Sequence, residues 1–139
     1  MEAQTTGPAV RESGVFTGIC WIVAAWGIGF TLDLVARADD VTSSQWRYLM
    51  SVPGGRWSWV GVFLVGALVL THGLAAQNYL LRTIGCGVLG FGCGAIAAFY
   101  VVAPFVDAGL TTLGYWPWLL GAAVLVFCAM VNAKPRAWF

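Results

Sequence analysis

Residues 85–90 read Gly-Cys-Gly-Val-Leu-Gly, which is G-x-G-x-x-G, the spacing of a dinucleotide-binding turn. An acidic residue, Asp107, follows the first glycine at about the remove, roughly 20 residues, that such a turn asks for. The fingerprint holds a pyrophosphate only where a strand precedes it and a helix opens at it, inside a βαβ unit. Here it lies within residues 83–106, a run without any Asp, Glu, Lys or Arg. No sheet has room there, so the three glycines do not mark a nucleotide site. What the surrounding run is decides the fold.

Of the 139 residues, 60% are hydrophobic and 9% are charged, against roughly 25% charged in soluble domains. Mean hydropathy is +0.81. Four stretches carry no Asp, Glu, Lys or Arg: residues 13–32, 57–81, 83–106 and 108–133. A helix crosses a hydrocarbon core of roughly 30 Å with about 20 apolar residues, and each stretch is that long. Backbone in lipid must satisfy its own hydrogen bonds, so these runs are expected as helices. The sequence therefore predicts an all-α membrane protein, with four transmembrane helices in an up-down bundle. The spans are placed at residues 15–35, 57–77, 83–106 and 115–133, between a polar tail (1–14) and a basic tail (134–139).

In that setting the glycines need a packing explanation. Cys86, Gly90, Gly94 and Ala98 recur every fourth residue and line up on one helix face. Small residues on one face let helices approach closely in lipid, so this ridge is expected to be a helix-association face. It suits either internal packing within one bundle or association between copies.

Between the spans, Pro53-Gly54-Gly55 breaks the chain before the second helix. Trp46, Tyr48, Leu49 and Met50 ahead of it suggest a short segment lying on the interface. Residues 77–82 (Gln-Asn-Tyr-Leu-Leu-Arg) read as a tight turn, and Pro104 falls in the last turn of the third helix. Ala36-Arg37-Ala38 resembles a cleavage site, but the apolar region before it is longer than a signal peptide's usual 7–15 residues and the leading tail is not basic. The second and fourth helices begin alike, Gly55-Arg-Trp-Ser-Trp59 and Gly114-Tyr-Trp-Pro-Trp118, so the chain reads as two similar helical hairpins, or as two helices entering from the same face. Trp57, Trp59, Trp116 and Trp118 are expected as interface anchors, since Trp is enriched at that depth.

Orientation follows from the basic residues of short loops. Arg11, Arg82, Lys134 and Arg136 fall on the side of the termini; Arg37, Arg47 and Arg56 fall on the other, among Asp33, Asp39, Asp40 and Asp107. The bias places both termini in the cytoplasm and the chain in the inner membrane.

Candidate groups for chemistry are few. His72 is the sole histidine and falls near the cytoplasmic end of the second helix; it is a possible polar site, and its default role is packing. Asp33 belongs to the opposite leaflet, better placed to meet Arg37. The four cysteines (20, 86, 93 and 128) form no C-x-x-C, and one histidine cannot hold two haems by paired ligands. Cys20, Cys86, Cys128 and His72 share a leaflet and form a donor set that zinc accepts, although cysteine is also a common small residue in packed helices. No mid-membrane carboxylate, paired carboxylates or nucleophile–base pair suggests transport or catalysis, and the scattered basic groups leave no nucleic-acid footprint. No cofactor is expected, and no enzymatic activity. The partners implied are the lipid bilayer and a second membrane protein or further copies of the chain.

With its length, helix count and the entry Val52-Pro-Gly-Gly-Arg-Trp-Ser-Trp59, the chain resembles small four-helix membrane proteins of actinobacterial phages. The resemblance implies a holin-like protein, one that accumulates, oligomerises and permeabilises the inner membrane during lysis. Many holins end in a strongly charged tail, whereas this one carries Lys134 and Arg136 only. The other class is a structural or regulatory membrane subunit of a larger complex. Topology is checked in a cysteine-free background: an impermeant maleimide is expected to label Ser43→Cys in intact cells, and Ala3→Cys only after lysis. The reverse pattern inverts the orientation.

Overall fold

The computed structural model describes residues 14–36, 44–106 and 115–133. Outside them lie most of the polar N-terminal tail, Arg37 and the rest of the cleavage-like motif, the link through Asp107, and the tail with Lys134 and Arg136. Every regular element among the described residues is a helix: α1 (Gly14–Ala36), α2 (Ser44–Leu49), α3 (Arg56–Ala75), α4 (Tyr79–Val106) and α5 (Tyr115–Ala133). Four helices, α1, α3, α4 and α5 from Trp116 on, are long and apolar enough to cross a membrane. This is the architecture of an integral multi-pass membrane protein.

The four long helices run up and down. α4 lies between α3 and α5, and α1 packs against α3. Gly27 on α1 sits against Ala67 on α3 and reaches Leu89 on α4. On the far side of the bundle α1 and α5 meet through side chains, Phe30 and Trp26 against Trp118, while their backbones stand apart. An open apolar trough of about 620 Å³ runs between them, with Val23, Trp26, Phe30, Trp118 and Leu125 in its walls.

The entry to α3 is a turn whose residue types follow from its geometry. The Gly55 N–H donates to the Val52 carbonyl at 2.8 Å, Pro53 takes the second position, and Gly54 takes the third with φ +83°. A type II turn wants proline and then a residue at positive φ in those two places. The Ser58 hydroxyl donates back to the Pro53 carbonyl. Trp59 Nε1 donates to the Leu49 carbonyl at 2.9 Å, which pins α2 to α3. Leu49 is buried, and Tyr48 meets the Phe99 ring edge-on at 5.5 Å.

The turn between α3 and α4 is shorter than residues 77–82. The Asn78 N–H donates to the Gly73 carbonyl (2.8 Å) and the Gln77 N–H to the Leu74 carbonyl (3.3 Å). With Gln77 at φ 52°, this is a Schellman ending, filled by glutamine where glycine is usual. Asn78 then caps α4: its Oδ1 accepts from the Leu81 N–H at 3.2 Å, the N3 position that such a cap satisfies. The helix thus starts at Tyr79 rather than Thr83, and α3 ends at Ala75 rather than Gln77. The consequence is that Arg82 belongs to a helix and not to a loop.

The glycines of residues 85–90 face three ways, as helical spacing requires. A Cβ on Gly85 would lie 2.6 Å from the Leu70 N of α3, one on Gly90 would lie 3.3 Å from the Leu125 Cβ of α5, and one on Gly87 would meet nothing within 4 Å. Gly66 and Gly73 on α3 lie against Leu89 and Leu81–Arg82, while Gly85 and Gly92 on α4 lie against Leu70 and Phe63. Each helix offers its gaps to the other's bulk at heptad spacing, and that interlock fixes their register. Three substitutions rank the faces. Gly85→Ala is expected to lower bundle stability by about 1–3 kcal/mol, the usual cost of overpacking. Gly90→Ala should cost less, and Gly87→Ala nothing. Denaturant unfolding in mixed micelles measures all three; equal effects would refute the ranking.

Candidate functional site

Two pairs of residues spaced by four converge on one another, Arg82 with Cys86 on α4 and Cys128 with Asn132 on α5. Spacing by four puts both members of a pair on one helix face, and α4 and α5 turn these faces inward. Cys20 of α1 completes the group. Its thiol lies within hydrogen-bonding reach of Cys128, Cys86 and Asn132, with Arg82 close enough to act on it electrostatically. Cys20 and Cys86 are 0% exposed, and Cys128, Arg82 and Asn132 no more than 2%. All of the cysteines are free thiols. Cys93 is also buried but lies apart, near Gly121.

The polar members are held by backbone. Arg82 Nε donates to the Gly73 carbonyl at 3.2 Å, possible only because α3 carries no Cβ there: one on Gly73 would lie 2.7 Å from the Arg82 N. The guanidinium also sits over the Tyr79 ring, 5.0 Å from its centroid, a cation–π contact. Asn132 Nδ2 donates to the Cys128 carbonyl at 2.9 Å, which sets the amide's orientation. Its Oδ1 is buried and has no hydrogen-bond partner. A buried acceptor left unmade costs about 1–3 kcal/mol, so this oxygen stands out beside Arg82 and Thr31, the other buried polar side chains among the described residues, each of which makes a hydrogen bond.

The sequence-derived ridge is now placed. Cys86 and Gly90 are buried, and Gly94 is half-buried with Ala122 of α5 3.9 Å from where its Cβ would stand. α5 of the same chain therefore occupies this face. Ala98 is exposed beyond it. Around Gly90 the ridge is thus taken up by packing within the bundle, against Leu125 and Val126. The ridge also begins one step earlier than the small residues suggest, at Arg82.

The four tryptophans divide. Trp57 and Trp116 are well exposed on the outer surface, while Trp59 is buried and Trp118 half-buried. Of the four expected interface anchors, Trp57 and Trp116 thus face outward and Trp59 and Trp118 face the bundle. Residues two apart on a helix lie about 200° apart, so W-x-W turns one ring out and the other in. The inward rings join aromatic clusters: Trp118 packs with Phe30 at 5.1 Å, Trp26 at 6.1 Å and Phe63 at 6.4 Å, and Trp59 with Phe99 at 5.8 Å.

His72 is exposed on the outside of α3, on the helix that contributes no side chain to the thiol group. The three cysteines and His72, a donor set that zinc accepts, therefore do not assemble, because the imidazole lies on the outside of α3. Among the described residues no group of three or more His, Cys, Asp or Glu is arranged to hold a metal ion. Asp33 is exposed near the end of α1; its expected partner Arg37 lies outside the described residues. No family model, curated protein or solved structure matches the chain.

Arg82 and Asn132 were not legible as site residues from composition, yet each had a signal. Asn78 is a strong cap residue, and it places Arg82 one turn inside the helix. Asn132 sits at a spacing of four from Cys128. Arg82→Ala is expected to lower stability in detergent by roughly 1.5–3 kcal/mol, the range for a hydrogen bond to a charged group. Arg82→Lys should recover only part of it, since lysine lacks the planar Nε–H. His72→Gln should unfold like the wild type. Thermal unfolding of the purified variants decides, and a larger loss for His72→Gln than for Arg82→Ala would reverse the assignment.

Proposed function

We propose that this chain is a non-enzymatic structural or regulatory subunit of a larger membrane complex. The observation that carries it is α5 seated on the α4 ridge. A holin-like protein must associate with its own copies, and the ridge was the face expected to allow that. With the ridge filled from within, the chain is a preassembled four-helix unit, its thiols and Arg82 enclosed. What it offers outward is a lipid-facing surface of large apolar side chains, such as Phe91, Phe105 and Phe127, and the unclosed α1–α5 flank. That flank is where a neighbouring membrane protein is assigned. The entry motif at Val52–Trp59 does not favour the holin-like reading, since its residues are accounted for by a type II turn and the Trp59–Leu49 bond.

The test is induction in bacterial cells with a potential-sensitive dye. The subunit reading expects the inner-membrane potential to hold as the protein accumulates, and the solubilised protein to run as a small species when expressed alone. An abrupt collapse of potential together with large crosslinked homo-oligomers would overturn it in favour of a holin.

A further inference from the structure

We propose that the trough between α1 and α5 binds a lipophilic organic cation, whose hydrophobic body lies against the aromatic rings of the trough and whose charge is drawn to Asp33. The inference goes beyond the function proposed above and does not rest on it: a neighbour seated on the outer rims of α1 and α5 covers such a ligand without replacing it.

The trough has the size and the lining of a small-molecule site. Its volume of about 620 Å³ falls within the roughly 300–1,000 Å³ of pockets that hold such ligands. Gly121 of α5 lines it without a side chain, which widens it, and among the described residues no charged side chain stands in its walls. Its deep end is aromatic. Trp26 and Phe30 of α1, Phe63 of α3 and Trp118 of α5 form a tetrad whose ring pairs are all 4.7 to 6.4 Å apart between centroids, and Trp26, Phe30 and Trp118 also line the trough. Trp26 stays 42% exposed although Phe30 stacks on it at 5.7 Å. It stands about 15 Å from the end of α1, too deep for the interfacial belt in which Trp is enriched. A ring carries negative charge on its face and attracts a cation within about 6 Å of its centroid, Trp most strongly and most of all where water is excluded.

Charge complementarity is the second, independent argument. Asp33 is the one carboxylate among the described residues, and it is exposed. It follows Trp26 by seven residues and Ile22 by eleven, spacings that place it on the trough-lining face of α1, one turn beyond Phe30. Asp33 makes an interaction of its own, but a carboxylate has about four acceptor positions, so its charge still bears on the trough's end. Trp26 and Asp33 stand about 10 Å apart along the helix. A bulky cation with its charge shielded by hydrocarbon reaches both. A compact ion or a zwitterionic lipid headgroup is held at the interface by its hydration.

The test is equilibrium dialysis of labelled tetraphenylphosphonium against the purified full chain in detergent. Empty micelles are the blank, and tetraphenylborate, an anion of the same shape, is the competitor. The wild type should bind the phosphonium saturably, and the borate should not displace it. Trp26→Ala and Trp118→Ala should each weaken binding about 3- to 30-fold, the span of cation–π contacts. Asp33→Asn should weaken it about two- to fivefold, as loss of an exposed ion pair does, and Asp33→Glu should restore it. Val124→Trp fills the trough from an exposed position of α5 and leaves the tetrad intact, so it should abolish binding in a folded protein. Trp57→Ala, outside the trough, should bind like the wild type. A wild type without saturable binding has a trough filled by bilayer lipid alone, and that result would overturn the proposal. Equal binding of the borate, or undiminished affinity in Val124→Trp or Asp33→Asn, would overturn it as well.

Discussion

The contact on which the bundle depends is the approach of α3 and α4 at Gly85, where a single added carbon would stand 2.6 Å from the Leu70 backbone. In lipid the hydrophobic effect does not hold helices together, because the tails are as apolar as the side chains. Association must come from dispersion between surfaces that fit. α4 meets this demand on two faces at once, with Gly85 and Gly92 turned to α3 and Cys86 and Gly90 turned to α5. A helix smooth on one face could have anchored only a pair.

That central place of α4 also explains the polar group. Arg82 lies one turn before Cys86 on α4 and packs against Gly73 of α3, so the close α3–α4 approach buries it. A guanidinium is expensive to withdraw from water, and one without hydrogen bonds would not be tolerated. Here the close α3–α4 contact brings the Gly73 carbonyl to Arg82 Nε, and Tyr79 one turn earlier offers its ring. The same glycine that lets the helices touch thus supplies an acceptor for the charge.

Much of this was legible before any coordinates. Four apolar runs without charges specify four helices, since lipid leaves the backbone no alternative. The G-x-G-x-x-G stretch could be assigned to packing rather than phosphate because no strand fits ahead of it. What was misread came from local rules applied at the wrong scale. Gln77 to Arg82 reads as a tight turn between two apolar runs, although Asn78 is a cap signal and Tyr79, Leu80 and Leu81 suit a helix. Residue type makes all four tryptophans of the W-x-W pairs alike, and only their spacing of two shows that one ring of each pair turns inward. The meeting of Cys20 with Cys86 and Cys128 depends on which helices become neighbours, and periodicity within a helix does not contain that information.

The helices are not of equal length. α3 has 20 residues and α4 has 28, so at 1.5 Å per residue they measure about 30 and 42 Å. The former matches a typical hydrocarbon core of roughly 30 Å, and the latter exceeds it. Trp59, in the first turn of α3, is level with Phe99, so residues 100–106 of α4 run on for about 10 Å past the point where its neighbour begins. Part of that overhang is flanked by α2, through Leu49 and Tyr48 beside Tyr100 and Ala103. A bilayer around this protein must therefore thicken on one side or let the longest helix lean. Each ångström of mismatch costs a fraction of a kcal/mol. The protein is consequently matched to the thickness of its host membrane and not only to its oiliness.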